Sequence, residues 1–214
     1  HRFLHYPHRR HRQMCIRESQ HTAATPTAST VISFTKTGTE YKISSSNTGT
    51  TSFGAYSQFD LITITGASNS GNNTTFTVKS VSSSNDFIIV QEEVTTESAG
   101  QSITLDHTGF VSDKAKGDGY YSQPDGVHTV VYQVLNREDS TDDFNGTVKM
   151  QGSLATTPTE DDYFDITGTT YTSDQSTTIA TFNFTGNFVW VRAKIETTNT
   201  SGNAALITSI LLNN

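Results

Sequence analysis

TFNFTGNFVWVRAKI, residues 181–195, decides how the chain reads, and it holds the only tryptophan. Two runs with a period of two flank Thr185-Gly186-Asn187, and a short glycine-containing loop between such runs predicts a β-hairpin, because glycine reaches positive φ without steric cost. In the second run Val189, Val191, Ala193 and Ile195 point one way, and Phe188, Trp190, Arg192 and Lys194 the other. The first face is core. The second is aromatic and cationic; stacking of Trp190 and Arg192 on Phe182 and Phe184 would make it a cross-strand structural cluster, and exposure would make it a contact surface. The hairpin is expected to be the core of the C-terminal half, with Trp190 inside it.

The rest of the composition agrees with strands. Of 214 residues, 37 are Thr and 24 are Ser, with 15 Gly and 4 Pro. Threonine favours strands, and serine, asparagine and glycine supply turns. No window carries the 3.6-residue apolar repeat of a helix. The single cysteine, Cys15, rules out an intrachain disulfide and a cysteine-based zinc site, and nothing beside it marks it as an activated nucleophile. There is no apolar run long enough for a transmembrane helix, and HRFLHYPHRRHRQMC has no apolar signal-peptide region, so neither a membrane partner nor secretion by that route is expected.

The net charge of −7 conceals an asymmetry. Residues 1–21 carry Arg2, Arg9, Arg10, Arg12 and Arg17 against Glu18 alone, leaving nine basic and twenty acidic side chains for the remainder. An acidic body argues against a nucleic-acid partner, whose affinity comes mainly from neutralised phosphates. The basic segment also holds five of the seven histidines and has neither helix nor strand periodicity. Such a stretch does not order on its own, so residues 1–30 are expected to be an extended arm and linker that orders against an acidic partner surface, including that of another copy. His5, His8 and His11 lack a carboxylate or cysteine that would complete a metal site.

Strands are expected at 31–35, 41–44, 61–65, 75–81, 87–91 and 103–105, separated by Ser/Asn/Gly-rich turns, a spacing that suits a small barrel or sandwich. The run FGAYSQFDLITITGASNSGNNTTFTVKSVSSSNDFIIVQEEVTTESAGQSITL resembles a small β module of tailed-bacteriophage proteins, the resemblance covering about residues 31–106. It implies a structural building block without catalytic residues. Phe59-Asp60 stands where such modules often carry Gly-Asp, so the turn before Leu61 is expected to differ.

Residues 107–126 are rich in Gly, Asp and Lys without alternation and read as a junction, with Tyr120 and Tyr121 packing there or touching a neighbour. Lys116-Gly117-Asp118 matches an integrin-type tripeptide too short to be informative. In residues 127–134 His128, Val130, Tyr132 and Val134 share one face and Val127, Thr129, Val131 and Gln133 the other, predicting a central strand. TVKMQGSL, YFDIT and the closing ALITSILL follow as strands, giving an antiparallel sandwich over 127–214. VVYQVLN, GTVKMQGSLATTP, DDYFDI, NFTGNFVWVRAKI and ITSILLNN together resemble a C-terminal domain of virion structural proteins from marine tailed phages, especially those infecting cyanobacteria. That resemblance implies a virion part without enzymatic activity.

Candidate chemistry is sparse. Glu160, Asp161, Asp162 and Asp165, or Asp139, Asp142 and Asp143, could offer the carboxylate pair of a glycosidase or oxygen ligands for calcium, but both groups lie in charge-dense loops that read as solvated. A Ser-His-Asp arrangement would have to use His107 or His128, and no nucleophile elbow is present. The sequence therefore predicts an all-β chain of two small antiparallel barrel or sandwich modules preceded by an extended arm, with no cofactor. Its expected function is that of a non-enzymatic virion structural protein, a capsid decoration or cement protein, whose partners are other virion proteins and copies of itself. Arg2, Tyr6, Arg9, Arg10, Arg12, Arg17, Tyr120 and Tyr121 are the expected contact residues. The alternative is a neck, tail or short-fibre component that binds a host glycan or receptor through Trp190, Tyr120, Tyr121 and Tyr171.

Overall fold

The computed structural model describes residues 12–14, 27–46, 53–122, 126–134, 144–173, 178–197 and 207–213. The chain is all-β and its described strands pair antiparallel. In order they are β1 (Arg12–Met14), β2 (Thr27–Ser29), β3 (Ile32–Thr37), β4 (Glu40–Ser45), β5 (Asp60–Thr65), β6 (Thr75–Val81), β7 (Phe87–Val90) and β8 (Ile103–Val111). Then come β9 (Ala115–Lys116), β10 (Val127–Val134), β11 (Gly146–Ser153), β12 (Phe164–Asp165), β13 (Tyr171–Thr172), β14 (Thr178–Thr185), β15 (Trp190–Thr197) and β16 (Ile207–Asn213).

A long sheet runs in the order β12-β11-β15-β8-β5-β6-β7-β4-β3, with β13 on β11, β2 on β8 and β9 on β15. A four-stranded sheet, β1-β16-β10-β14, faces its β11–β15 end. Between them lies one core: Val130 and Tyr132 of β10, Ile210 and Leu212 of β16, and Phe184 of β14 meet Val148 and Met150 of β11 and Val191, Ala193 and Ile195 of β15. A second core is lined by Ile32, Phe34, Ile43, Ile62, Ile64, Phe76, Ile88, Ile103 and Leu105, so the other end of the long sheet curls around its own apolar face. Each such buried side chain contributes roughly 1.5–3 kcal/mol. Among the described residues no helix is long and apolar enough to cross a membrane.

The expected hairpin does not form. β14 pairs along its full length with β10, from Val127↔Thr185 to Val134↔Thr178. β15 pairs with β11, from Gly146↔Thr197 to Ser153↔Trp190, in the opposite sheet. Gly186-Asn187-Phe188-Val189 is therefore a crossover between the layers. Both flanking runs have an apolar face, and placing them in facing sheets buries both against one core. Gly186 takes φ 156°, and a Cβ there would strike the ring of Phe188, which folds back beneath it and is itself 7% exposed. Hydrogen bonds Gly186 N to Gly126 O (2.8 Å) and His128 Nε2 to Gly186 O (2.8 Å) fasten the crossing.

The alternation expected for β10 is present, with His128, Val130, Tyr132 and Val134 buried, and β10 lies between β16 and β14. β16 closes the described chain in the same core. Two elements differ in extent. The strand expected over 103–105 runs on to Val111, burying every second residue, so 107–111 are sheet, with a shift of register against β5 between His107 and Gly109. Within YFDIT only Phe164–Asp165 is strand, because Ile166 turns inward to the core. β8 is also what joins the two ends of the long sheet, through Lys194↔Val111, Ile195↔Phe110 and Glu196↔Gly109. Gly109 has φ 143°, and a Cβ there would collide with the carbonyl oxygen of Ile195, so this close approach requires glycine.

Candidate functional site

Alternate residues of β15 build the site. Val191, Ala193 and Ile195 face the core, and Trp190, Arg192 and Lys194 face outward from it. That outward face carries an aromatic patch at one end and a polar cleft at the other.

At the patch, the β9 pairing Trp190↔Lys116 and a short 3-10 helix over Asp118–Tyr121 bring Tyr120 against Trp190, ring centroids 5.2 Å apart, and Tyr121 against Tyr120, also 5.2 Å. Lys116 Nζ lies 3.9 Å from the Tyr120 ring centroid and Lys114 Nζ 4.6 Å from that of Trp190. Trp190 Nε1 donates to the carbonyl of Thr156 at 3.1 Å, which fixes the indole. Tyr120 and Tyr121 are 43% and 44% exposed, so the cluster is a surface. Phe182 and Phe184, the expected partners of Trp190, are elsewhere: Phe182 lies by Tyr132 and Phe184 stacks on His128, because β14 belongs to the other sheet. Trp190 is half-buried and outside both cores, contrary to its expected place.

Two residues along β15, Arg192 is 5% exposed. Its guanidinium donates to both carboxylate oxygens of Glu160 (2.7 and 2.6 Å) and, through Nε, to Gln151 (2.9 Å), and Tyr163 covers it with the ring centroid 3.6 Å away. A bidentate charge-assisted pair of this kind is the strong form of an ion pair. Beyond it opens a cleft of about 170 Å³. Its floor is Leu61 and Val111, both buried yet in neither core. Its walls are Arg192 and Lys194 of β15, Gln151 of β11, Thr75 and Thr77 of β6, and Glu92, Glu160 and Asp161 from connections. The cleft exists because β11, β15, β8, β5 and β6 are neighbours in one sheet.

Glu92 accepts from Thr77 N (2.6 Å) and Thr77 Oγ1 (2.7 Å). Burial pushes its carboxyl above the usual range; the Thr77 bonds oppose this and nearby Glu160 adds to it. A row of hydroxyls leads away from the cleft: Thr63 Oγ1 lies 2.8 Å from that of Thr75 and 2.9 Å from that of Thr108. At the rim, Lys194 pairs with Glu196 at 2.9 Å and Lys149 with Asp165 (2.7 Å) and Glu196 (3.1 Å). Burial alone would raise Asp165 and Glu196, but these lysines, joined at Asp165 by the Gln151 hydrogen bond, outweigh it and hold both carboxyls below their ordinary values.

The structure brings together three of the four expected ligand-stacking aromatics, Trp190, Tyr120 and Tyr121; Tyr171 instead packs against the C-terminal core from β13. Arg12 lies in β1, which extends the chain's own four-stranded sheet beside β16. Arg2, Tyr6, Arg9, Arg10, Arg17, His5, His8, His11, Cys15, Asp139, Asp142 and Asp143 lie outside the described residues.

In the acidic group at 160–165, Asp161, Asp162 and Asp165 are exposed, as expected, and Glu160 alone is drawn inward. Glu160 holds Arg192, Asp162 closes a capping box with Thr159, Asp165 accepts from Gln151, and Asp161 alone of the four lines the cleft without such a bond among those described. Among the described residues no group of three His, Cys, Asp or Glu side chains converges as a metal site. His107 and His128 are buried structural groups, 3.6 Å from Asp60 and 4.0 Å from Asp118. Asp118 is 2% exposed, which removes it from any integrin-type display. Comparisons with family models, curated proteins and solved structures return no match.

Proposed function

We propose that this chain is a non-enzymatic structural protein of a tailed-phage particle, a head decoration or cement protein that docks on neighbouring virion proteins and on copies of itself. The observation that carries the reading is the exposed Trp190–Tyr120–Tyr121 patch flanked by Lys114 and Lys116. Rigid, half-exposed aromatics with adjacent cations are the composition of protein-interface hot spots. Here they stand on sheet and a fixed short helix, so little ordering entropy opposes docking.

Three further points support it. The resemblance of residues 31–106 and 127–214 to phage structural modules points to a virion. The pairing of Arg12–Met14 with β16 lies within the chain's own sheet, and main-chain addition of this kind is a mode by which an arm engages a neighbour. Finally, both oxygens of Glu92 and of Glu160 accept hydrogen bonds from the chain itself, which suits a fixed structural role.

The test is incorporation into particles of a Tyr120→Ser/Tyr121→Ser variant and of a chain lacking residues 1–21. Reduced occupancy for both is expected. Full occupancy for both would refute docking through these elements. A second reading, a neck, tail or short-fibre component that binds a host glycan, is favoured by the polar cleft on the same face as the aromatics.

A further inference from the structure

We infer that the cleft beside Arg192 and Lys194 is a binding site for a neutral, hydroxyl-rich sugar unit, and that the Trp190 patch on the same face extends it to an oligosaccharide. The inference supplies the second reading with a site and does not depend on the virion assignment.

Three properties of the cleft select that ligand. Its floor is apolar, Leu61 and Val111, and its walls are polar, which matches a sugar ring with C–H groups on its faces and hydroxyls around its edge. Its polar groups are held in place before any ligand arrives: Arg192 by Glu160, Gln151 and Tyr163, and Glu92 by Thr77. The wall also carries the hydroxyls of Thr75 and Thr77, from which the Thr63–Thr108 row leads on, and each such oxygen can donate or accept, as sugar hydroxyls require.

Charge excludes the competing ligand classes. Arg192 is neutralised by Glu160 and Lys194 is paired with Glu196, so the remaining carboxyls, Glu92 and Asp161, leave the cleft unfavourable for an anion. A small cation would need several converging ligands, and no group of three His, Cys, Asp or Glu side chains converges among the described residues.

The patch adds reach. Trp190 and Lys194 point the same way from one strand, four residues and therefore about 13 Å apart, with Tyr163 over Arg192 between them. An extended oligosaccharide seated in the cleft thus passes the aromatic rings, on whose faces further units stack.

The purified full chain would be titrated with maltohexaose, cellohexaose, mannohexaose and chitohexaose as neutral probes, and with a hyaluronan hexasaccharide as the anionic control. Calorimetry and the emission of Trp190, the sole tryptophan, would report binding. Binding of at least one neutral probe with a dissociation constant below about 1 mM is expected, weakened about tenfold or more by Asp161→Ala. Asp161 is exposed, so this variant keeps its fold, and an unchanged urea midpoint verifies that. Trp190→Phe should weaken the hexasaccharide and leave the corresponding disaccharide unaffected. The inference is overturned if no neutral probe binds at about 10 mM, if binding is indifferent to Asp161→Ala, or if the hyaluronan fragment is preferred. Particle incorporation is a separate readout, so failure here and failure of the docking role are told apart.

Discussion

Replacing Arg192 with alanine should be among the most damaging single changes in the chain, although it lies outside both apolar cores. Its side chain is 6% exposed and that of its partner Glu160 12% exposed, so the pair is nearly dry. The substitution leaves the Glu160 carboxylate without two hydrogen bonds at 2.7 and 2.6 Å, strips Gln151 of a donor and uncovers one face of Tyr163. Leaving one member of a buried pair uncompensated costs about 3–5 kcal/mol.

The value of the pair itself is much smaller, because both ions had to be desolvated to form it. The double variant Arg192→Met/Glu160→Gln should therefore lie within about 1–2 kcal/mol of the parent. Urea unfolding followed by Trp190 emission measures all three; with a slope of about 2 kcal/mol/M, Arg192→Ala should lower the midpoint by about 2 M. A loss under about 1 kcal/mol, the usual worth of a solvated surface pair, would refute the assignment of Arg192 as a buried clamp.

Trp190→Ala should cost only about 1–2 kcal/mol, against about 3–5 kcal/mol for a core aromatic, and its urea midpoint distinguishes the two. Gly109→Ala should destabilise by at least about 1–3 kcal/mol, since positive φ and collision with Ile195 O act together; a thermal midpoint unchanged by the substitution would contradict the β8–β15 junction described above. Glu92 sets a pH trend. Its folded carboxyl titrates above the ordinary 4.5, so its contribution is full below that value and is lost as pH rises through the raised value; Glu92→Gln should therefore narrow the fall in urea midpoint between pH 4 and neutrality. Asp165 and Glu196 act with the opposite sign, their lowered values making the lysine contacts contribute above the ordinary carboxylate range and vanish in acid, seen as an acid-side loss that Lys149→Met reduces.

Strand periodicity was legible wherever a strand buries one face, as in β10, where His128 to Val134 alternate as expected, and in β6, whose limits match the reading of 75–81. Local pattern could not specify pairing. The alternation on both sides of Gly186 is the same whether the two runs hydrogen-bond to each other or face each other across a core, and only the eight-residue register of β14 with β10 decides it. Burying Phe184 and Phe188 on one core favours the crossover. Tyr120 and Tyr121 could be flagged from their position in a Gly-rich stretch. Their union with Trp190 depends on β9 pairing with β15 across more than seventy residues.

The cleft was not legible at all. Its lining comes from five adjacent strands and two connections, and Thr77, Glu92 and Gln151 are individually ordinary residues of a Thr-rich chain. The one local clue was the excess of charge in Glu160-Asp161-Asp162, which read as solvent-facing throughout because the cation that holds Glu160, Arg192, is 32 residues away in sequence.

The most direct measurement of the proposed role is electron cryo-microscopy of particles purified from a host that produces this chain. The account predicts copies at repeating positions on the head, with Trp190, Tyr120 and Tyr121 against a neighbouring chain. Particles devoid of the chain, or copies whose aromatic patch faces solvent at every position, would contradict it.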